Sequence, residues 1–186
     1  MGKLALYGGN ILNFLEGKDL IVNSANKYMK LGSGVCGAIY KVAGADLLEE
    51  YCKSHFKDLM EVNEIRITPG FALGVDILHI FCPKQFESQS PINELLRSYE
   101  KIFEEADKKH YKDMISVSLG TGVHGYRHAD VAGPVMHKLV ELTEKYHVNF
   151  GFVLPSVEIA CRYQSTLNVI AKNIQNFNRL IMKSSD

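Results

Sequence analysis

Short apolar segments alternate with longer amphipathic segments along the whole chain, and this alternation restricts the fold more than any other feature of the sequence. Short apolar runs bounded by polar or turn-forming residues are typical of buried strands, whereas apolar residues at intervals of three and four are typical of helices. The predicted strands are residues 4–7, 20–22, 64–68, 75–82, 114–119 and 149–154. The pattern therefore predicts a sheet with helices between its strands.

Each amphipathic segment carries its apolar residues on one side. At Ser90-Pro91, a capping hydroxyl is followed by a proline at a position where no N–H group is needed, which predicts a helix start. The predicted apolar helix faces are Val35, Ile39, Val42, Ala43, Leu47 and Tyr51; Ile92, Leu95, Leu96, Tyr99, Ile102, Phe103 and Ala106; Val131, Val135, Leu139, Leu142 and Tyr146; and Ile159, Tyr163, Leu167, Ile170, Ile174 and Phe177. The alternation implies an α/β sandwich, with a largely parallel sheet covered by helices on both faces. Without a repeat or linker, residues 1–186 are expected to form a single domain.

The charge balance restricts the partners of this chain. The 186 residues contain 21 Lys and Arg against 21 Asp and Glu, so the formal net charge is zero. Proteins that bind long nucleic acids or acidic membranes usually carry an excess of Lys and Arg, so nucleic acid is disfavoured as a partner. No apolar run reaches the length of a bilayer span, and we expect no membrane partner. A small anion held by backbone groups remains compatible with neutrality.

The cysteines indicate a reducing compartment. They are spread singly along the chain, without a CxxC pair, which is typical of free thiols. The start of the sequence lacks the basic and then apolar layout of a signal peptide, so we expect a cytoplasmic protein. Cys52 and His55 would lie close together on a helix, but no further ligands are evident nearby, and no metal is expected. The four cysteines are Cys36, Cys52, Cys82 and Cys161.

Two glycine-rich loops follow predicted strands and precede predicted helices. The first contains Asn23 and Asn26 and then a Gly-Ser-Gly turn, and the second reads Gly-Thr-Gly-Val-His-Gly-Tyr from Gly120 to Tyr126. Glycine lets the backbone approach a phosphate closely, and the N–H groups of a first helical turn point towards it. Neither loop is a P-loop, because no Gly-Lys-Ser/Thr follows, and the GxGxxG spacing of the second lies too deep in the chain for a Rossmann fingerprint. Two such loops on one sheet edge predict a diphosphate site.

The same residues resemble the signatures of a known family. Residues 21–48 contain Val-Asn-Ser-Ala-Asn, the glycine turn, Gly-Ala-Ile-Tyr and Ala-Gly-Ala-Asp-Leu, and this segment resembles the first signature of macro domains. The second loop resembles the other signature, and Asn-Phe-Gly-Phe-Val-Leu at residues 149–154 resembles the terminal strand. The resemblance implies a three-layer α/β/α sandwich with a mixed, largely parallel central sheet, and it implies that the chain binds ADP-ribose. Several relatives remove ADP-ribose from proteins or deacetylate O-acetyl-ADP-ribose, and others only bind.

The resemblance also implies roles for individual residues. Asn26 would hold the distal ribose and act in catalysis, since an amide can donate to one hydroxyl and accept from its neighbour, and Asn23 would brace the loop. Asn10 and Ile11 would meet the adenine. The residues expected around the diphosphate and distal ribose are Gly32, Ser33, Gly34, Val35 and Cys36 on one side and Gly120, Thr121, Gly122, Val123, His124, Gly125 and Tyr126 on the other.

Six positions depart from the family pattern, among them Tyr40, which stands where some hydrolases carry histidine. Asn10 replaces an aspartate that accepts from the adenine amine, and Cys36 replaces an aspartate proposed in hydrolytic relatives to orient or activate water. A thiol is a poor substitute for that base. His124 replaces a tyrosine or phenylalanine over the distal ribose and adds a titratable group. Pro155 and Ala160 stand where relatives tend to offer aromatic contacts to adenine.

Three functions follow as hypotheses for a chain whose partner is ADP-ribose or an ADP-ribosylated substrate and which needs no cofactor. The first is binding together with hydrolysis of mono-ADP-ribosylated protein or deacetylation of O-acetyl-ADP-ribose, with the diphosphate positioning a water against C1″. The second is a non-catalytic reader, which Cys36 favours. The third is an ADP-ribose 1″-phosphate phosphatase. Recognition of single-stranded RNA is disfavoured by the charge balance, and the oligomeric state stays open.

Overall fold

The computed structural model describes the backbone of residues 2–183 and the side chains of residues 2–174. Strands and helices alternate as the apolar pattern predicts. The strands are β1 (Leu4–Gly8), β2 (Leu20–Ser24), β3 (Ile65–Thr68), β4 (Asp76–Ile80), β5 (Asp113–Val117) and β6 (Asn149–Leu154). The helices are α1 (Gly34–Ala43), α2 (Ala45–His55), α3 (Pro91–Lys108), α4 (His128–Tyr146) and α5 (Val157–Lys183), with short 3-10 helices at Ile11–Phe14 and Phe71–Leu73.

All six described strands form one sheet, in the order β1-β6-β5-β2-β4-β3. Every neighbouring pair is parallel except β3 and β4, which are antiparallel. A parallel pair needs a crossover connection, and the predicted helices supply it. The prediction of a mixed, largely parallel sheet is therefore confirmed.

Alternate side chains of the central strands reach two separate cores. Ile21 belongs to the core under α1 and α2, whereas its neighbours Leu20 and Val22 belong to the core under α3, α4 and α5. All three side chains are fully buried. Successive residues of a strand point to opposite faces, so a strand buried on both faces must be apolar throughout, as β2 largely is. The helices cover both faces, which confirms the three-layer α/β/α sandwich.

The predicted helix face from Val35 to Tyr51 is wrong at Val42, which is 47% exposed, and in its second half. Gly44, with φ of 97°, ends α1 and separates it from α2, because this left-handed conformation favours glycine. The break changes which residues face the core: Leu47 is 52% exposed, and Leu48 is buried instead. A single helical period cannot reveal such a change of phase.

Two further predictions concern the start of α3 and the apolar face of α5. Ser90 precedes α3 as predicted, but its hydroxyl accepts from Asn93 Nδ2 at 2.9 Å and makes no capping hydrogen bond. Pro91 is the first residue of α3, in accord with its missing N–H group. On the predicted apolar face of the last helix, Ile174 is 45% exposed, contrary to the prediction, and the side chain of Phe177 lies outside the described residues.

Within residues 2–183, none of the helices combines the length and hydropathy that a membrane crossing requires. The described residues also contain no group of three or more His, Cys, Asp or Glu side chains placed to hold a metal ion. Cys52 is a buried residue of α2, and the ring of His55 stacks on Tyr51 at 3.9 Å between centroids. The four cysteines are free.

Candidate functional site

A cavity of about 340 Å³ opens at the carboxyl ends of β2, β5 and β6. The helix that follows β2 packs on one face of the sheet and the helix that follows β5 packs on the other, although the two strands are neighbours. Chain connections that diverge from adjacent strands leave a crevice between them, which is the usual ligand site of open α/β sheets. The order of the strands therefore brings the two glycine-rich loops to one cavity.

The first loop lines the cavity with the start of α1. Ser33 is extended, and Gly34 has φ of 57°, a conformation that glycine adopts without strain. Gly37 lies so close to the loop that a Cβ atom there would come within 2.4 Å of the Gly32 carbonyl oxygen. Glycine at this position therefore lets the loop lie close to the first turn of α1. The N–H groups of that turn have no partner within the helix and suit an anion.

The second loop forms the opposite wall and is held by its own hydrogen bonds. The N–H of Tyr126 donates to the Gly120 carbonyl at 3.1 Å, and the N–H of Gly125 donates to the Gly122 carbonyl at 3.2 Å. The Thr121 hydroxyl donates to the Ser118 carbonyl at 2.9 Å. These bonds order the loop before any ligand arrives, which reduces the entropic cost of binding.

Tyr126 packs in the core behind the second loop and does not line the first cavity. It is 2% exposed, belongs to the core under α3 and α4, and donates its hydroxyl to the Pro91 carbonyl at 2.9 Å. Burial raises its pKa to about 12. A Cβ atom at Gly120 would lie 2.6 Å from its ring, so ring and glycine determine one another's position.

Asn26 lies beside a second cavity of about 440 Å³ rather than the first. Its Nδ2 donates to the Lys30 carbonyl at 2.7 Å, and its Oδ1 accepts from the N–H groups of Tyr28 at 3.1 Å and Lys30 at 3.3 Å. Both lone pairs of the oxygen are thereby used, and one N–H remains. In this arrangement the amide can donate to a ribose hydroxyl but cannot also accept from its neighbour, which corrects the paired role expected from the sequence.

Asn23 is fully buried behind the first loop and does not line either cavity. Its Nδ2 lies 3.1 Å from His79 Nδ1 and 3.6 Å from Cys36 Sγ. His79 is also fully buried, and its Nε2 lies 3.0 Å from the Thr68 hydroxyl. Burial lowers the pKa of His79 to about 3, so the ring is neutral. This chain of hydrogen bonds runs from β3 through β4 and β2 to the start of α1.

Cys36 lines the first cavity at the first turn of α1. Burial raises the pKa of its thiol, against the opposing effect of the hydrogen bond from Asn23. A thiol with a raised pKa is protonated at neutral pH and has little power to remove a proton from water. The structure thus leaves the position of the family's aspartate without a base.

His124 lines both cavities and stands between them. Its Nδ1 donates to the Pro83 carbonyl at 3.2 Å, and its ring meets Phe81 edge-on with centroids 6.2 Å apart. Burial lowers the pKa of this histidine below its ordinary range. The ring is therefore neutral near pH 7.

Most of the predicted site residues meet in the first cavity, and five do not. Asn23 and Tyr126 are buried behind the loops, Asn26 lines the second cavity, and Gly32 and Gly125 line neither. The predicted residues that line the first cavity are Asn10, Ile11, Ser33, Gly34, Val35, Cys36, Gly120, Thr121, Gly122, Val123 and His124.

Sequence reasoning missed several other residues of the first cavity. His128, the first residue of α4, lines it and has its Nδ1 3.0 Å from the Tyr163 hydroxyl. The remaining missed residues are Gly9, Ser24, Val117, Ser118, Val153 and Leu154, whereas Pro155 lines the cavity at a position that the resemblance assigns to the adenine. Nearly all of these lie at the carboxyl end of a strand or directly after it, and that position was the available signal.

Comparison with known proteins agrees with this geometry. A family model described as Macro domain matches residues 22–135. The sequence is 31% identical over 148 residues to a macro domain-containing protein of Methanosarcina mazei, covering 78% of this chain and 76% of that protein. The fold is similar to the Oceanobacillus iheyensis macrodomain with ADP, at a TM-score of 0.80 and 26% identity over 91% of this chain and 92% of that one. It is also similar to the Trypanosoma brucei macrodomain in complex with ADP-ribose, at a TM-score of 0.72 and 25% identity over 90% of this chain and 68% of that one. The resemblance of the two loops to the family signatures is confirmed, and the chain belongs to the macro domain family.

Proposed function

We propose that this chain binds ADP-ribose in the first cavity, with the diphosphate between the two glycine-rich loops. The observation that carries the proposal is that the first turn of α1 and the ordered second loop face each other across one cavity. Among the described residues that line it, none is Lys or Arg. Backbone N–H groups and the positive end of a helix therefore supply the complement to the phosphate charge.

The two ends of the cavity suit the two ends of the ligand. Asn10 and Ile11 lie after β1, and Val153, Leu154 and Pro155 lie at the end of β6, so they form one apolar end for the adenine. The opposite end reaches His124 and the second cavity, which accepts the distal ribose beside Asn26. Relatives with ADP and with ADP-ribose support this ligand class.

The second part of the proposal is hydrolysis of ADP-ribose from mono-ADP-ribosylated protein. The second cavity supports it, because about 440 Å³ of space beyond His124 leaves room for the modified side chain. The remaining N–H of Asn26 would hold the ribose for attack by water at C1″. O-acetyl-ADP-ribose carries the same sugar and is the companion substrate.

A non-catalytic reader of ADP-ribose marks is the rival function, and the protonated thiol of Cys36 favours it. Turnover assays on mono-ADP-ribosylated protein and on O-acetyl-ADP-ribose separate the two. We expect Asn26→Ala to abolish turnover with a milder loss of binding. Binding without any turnover by the native protein would establish the reader, and a gain of hydrolysis in Cys36→Asp would agree with it.

Binding itself is tested by calorimetry with ADP-ribose and a pair of glycine variants. A Cβ atom would meet no heavy atom within 4 Å at Gly122 in the second loop or at Gly133 in α4, so both positions accept a larger residue. Gly122→Glu places a negative charge in the cavity, and we expect it to weaken binding at least about 10-fold through repulsion of the diphosphate. Gly133→Glu adds the same charge outside the cavity and is expected to bind normally. Equal affinities of the two variants would place the ligand elsewhere.

Poly-adenosine serves as the control for the nucleic-acid alternative. A cavity without Lys or Arg among its described lining residues neutralises few phosphates through released counterions. We expect no binding of poly-adenosine at moderate salt and little effect of salt on the affinity for ADP-ribose. Tight binding of the polymer at moderate salt would contradict the proposal.

A further inference from the structure

The orientation of the His124 ring determines which of its nitrogens carries the proton. Nδ1 lies 3.2 Å from the Pro83 carbonyl oxygen, which can only accept, so Nδ1 carries the proton and donates. With the proton on Nδ1, the lone pair of the neutral ring lies on Nε2. The edge contact with Phe81 and the hydrogen bond from Gln85 N–H to the His124 carbonyl at 2.9 Å hold this loop position in place.

The surroundings of His124 keep the ring neutral near pH 7. Burial lowers its pKa, and the Lys84 ammonium lowers it further, while the carbonyl oxygens of Pro83 and Cys82 and the Glu87 carboxylate act in the opposite direction. Lys84 and Glu87 pair with each other at 2.6 Å, so their charges largely cancel. The other charged residues that line the second cavity are Lys27 and Glu94.

We propose that His124 is the general base of this site, with Nε2 taking a proton from the water that attacks C1″ of the distal ribose. The proposal rests on the hydrolytic part of the proposed function. It assigns to the second loop the role that Cys36 cannot fill from the first. The carbonyl of Pro83 orients the ring through Nδ1, as a hydrogen-bond acceptor does for a catalytic histidine in general.

The reaction balances without any further reagent. The water oxygen forms a bond to C1″, and the bond between C1″ and the linking oxygen of the substrate breaks. The electron pair of that bond leaves with a carboxylate, and the water proton passes to His124 Nε2 and then to solvent. A carboxylate is a good leaving group without protonation, so the step needs no general acid for ADP-ribose esterified to a protein carboxylate.

The rival groups near His124 are less suitable as the base. Both lone pairs of Asn26 Oδ1 accept backbone N–H groups, and the Glu87 carboxylate is paired with Lys84. Glu94 in the first turn of α3 is the remaining carboxylate among the described residues of the second cavity. His128 is the other histidine of the first cavity and has its Nδ1 3.0 Å from the Tyr163 hydroxyl. Glu94→Gln and His128→Gln are therefore the variants that test the alternatives.

The test compares His124→Phe with Glu94→Gln, using ADP-ribose esterified to a protein carboxylate as substrate. Phenylalanine keeps the ring that packs on Phe81, so the Kd for ADP-ribose should stay within about threefold, whereas kcat should fall at least about 100-fold. The native kcat/KM should decline as pH falls through the histidine pKa, and His124→Phe should lack this decline. An unchanged kcat in His124→Phe overturns the assignment. So does a decline of kcat/KM at low pH that disappears in Glu94→Gln and persists in His124→Phe.

A measurement without turnover tests the same claim. Nitrogen-15 NMR of the imidazole at pH 7.5, with and without ADP-ribose, should show Nδ1 protonated and Nε2 unprotonated. A proton on Nε2, or a charged ring, overturns the proposal. Native protein that binds ADP-ribose but never hydrolyses it also overturns this proposal and leaves the binding function intact, while a failure to bind ADP-ribose removes the proposed function itself.

Discussion

The buried His79 should make the stability of this protein depend on pH below neutrality. Its side chain is fully buried on β4, between Asn23 Nδ2 at 3.1 Å and the Thr68 hydroxyl at 3.0 Å. Burial lowers its pKa to about 3 from an ordinary value of 6.5. In the unfolded chain the same ring is solvated and takes a proton as the pH falls through its ordinary pKa.

The sign and size of the effect follow from proton linkage. Below pH 6.5 the unfolded state binds one more proton than the folded state, so acid favours unfolding, and the effect is absent well above pH 6.5. Between about pH 7.5 and about pH 5, this proton costs the folded state about 2 kcal/mol. Any folded pKa below about 4 gives nearly the same result, because the folded ring stays neutral over the whole interval.

Urea unfolding at the two pH values measures the effect. The free energy of unfolding of the native protein should fall by about 2 kcal/mol more than that of His79→Gln, since the titration of all other groups cancels in the comparison. His137→Gln is the matched control, because His137 is exposed on α4. Between the two pH values, the free energy of unfolding of His137→Gln should fall by as much as that of the native protein.

Equal losses of the free energy of unfolding in the native protein and in His79→Gln would refute the reasoning. An NMR titration of the His79 ring in the native protein provides the second measurement and does not require the variant to fold. A folded pKa near 6.5 would show that the Asn23–His79–Thr68 chain of hydrogen bonds admits a charged ring.

Two further predictions concern the walls of the first cavity. Gly120→Ala should lower the free energy of unfolding by at least about 1–2 kcal/mol in urea unfolding and weaken ADP-ribose binding, because Gly120 has φ of 73° and its Cβ atom would lie 2.6 Å from the Tyr126 ring. Equal stability would show that the ring moves freely. Asn10→Asp should lower the Kd for ADP-ribose about 5- to 10-fold in calorimetry, since Asn10 Oδ1 already accepts from Leu12 N–H at 3.1 Å and the second carboxylate oxygen adds a charged acceptor for the adenine amine. For the analogue with hypoxanthine in place of adenine, Asn10→Asp should not lower the Kd. An equal gain in affinity for both ligands would show that the base lies elsewhere.

The sequence was sufficient to predict elements whose cause is local. The strands and the alternation of layers follow from apolar periodicity, and α3 starts at Pro91 because proline lacks an N–H group. Gly34 and Gly120 take left-handed conformations that a glycine-rich loop makes available. The break at Gly44 was missed, because a glycine within a periodic segment is compatible with a continuous helix.

The candidate site was only partly predictable, because its geometry depends on contacts between distant segments. Asn23 and Asn26 belong to one short motif, yet the first is buried against His79 from β4 and the second bonds its own loop at Lys30. Tyr126 belongs to the same motif as His124 but faces the core. The direction of a side chain in a loop depends on what packs against it, and a motif does not contain that information.

By itself, the sequence determined the α/β class, the two glycine-rich loops and the kind of ligand they suit, because periodicity and backbone freedom are properties of neighbouring residues. The tertiary structure decided that β2 and β5 lie side by side, so that loops far apart in sequence form one cavity. It also decided that the Pro83 carbonyl, 41 residues from His124, lies 3.2 Å from its Nδ1. Strand order and burial arise from the packing of the whole chain. They bring the two loops together and decide which of their side chains face the cavity.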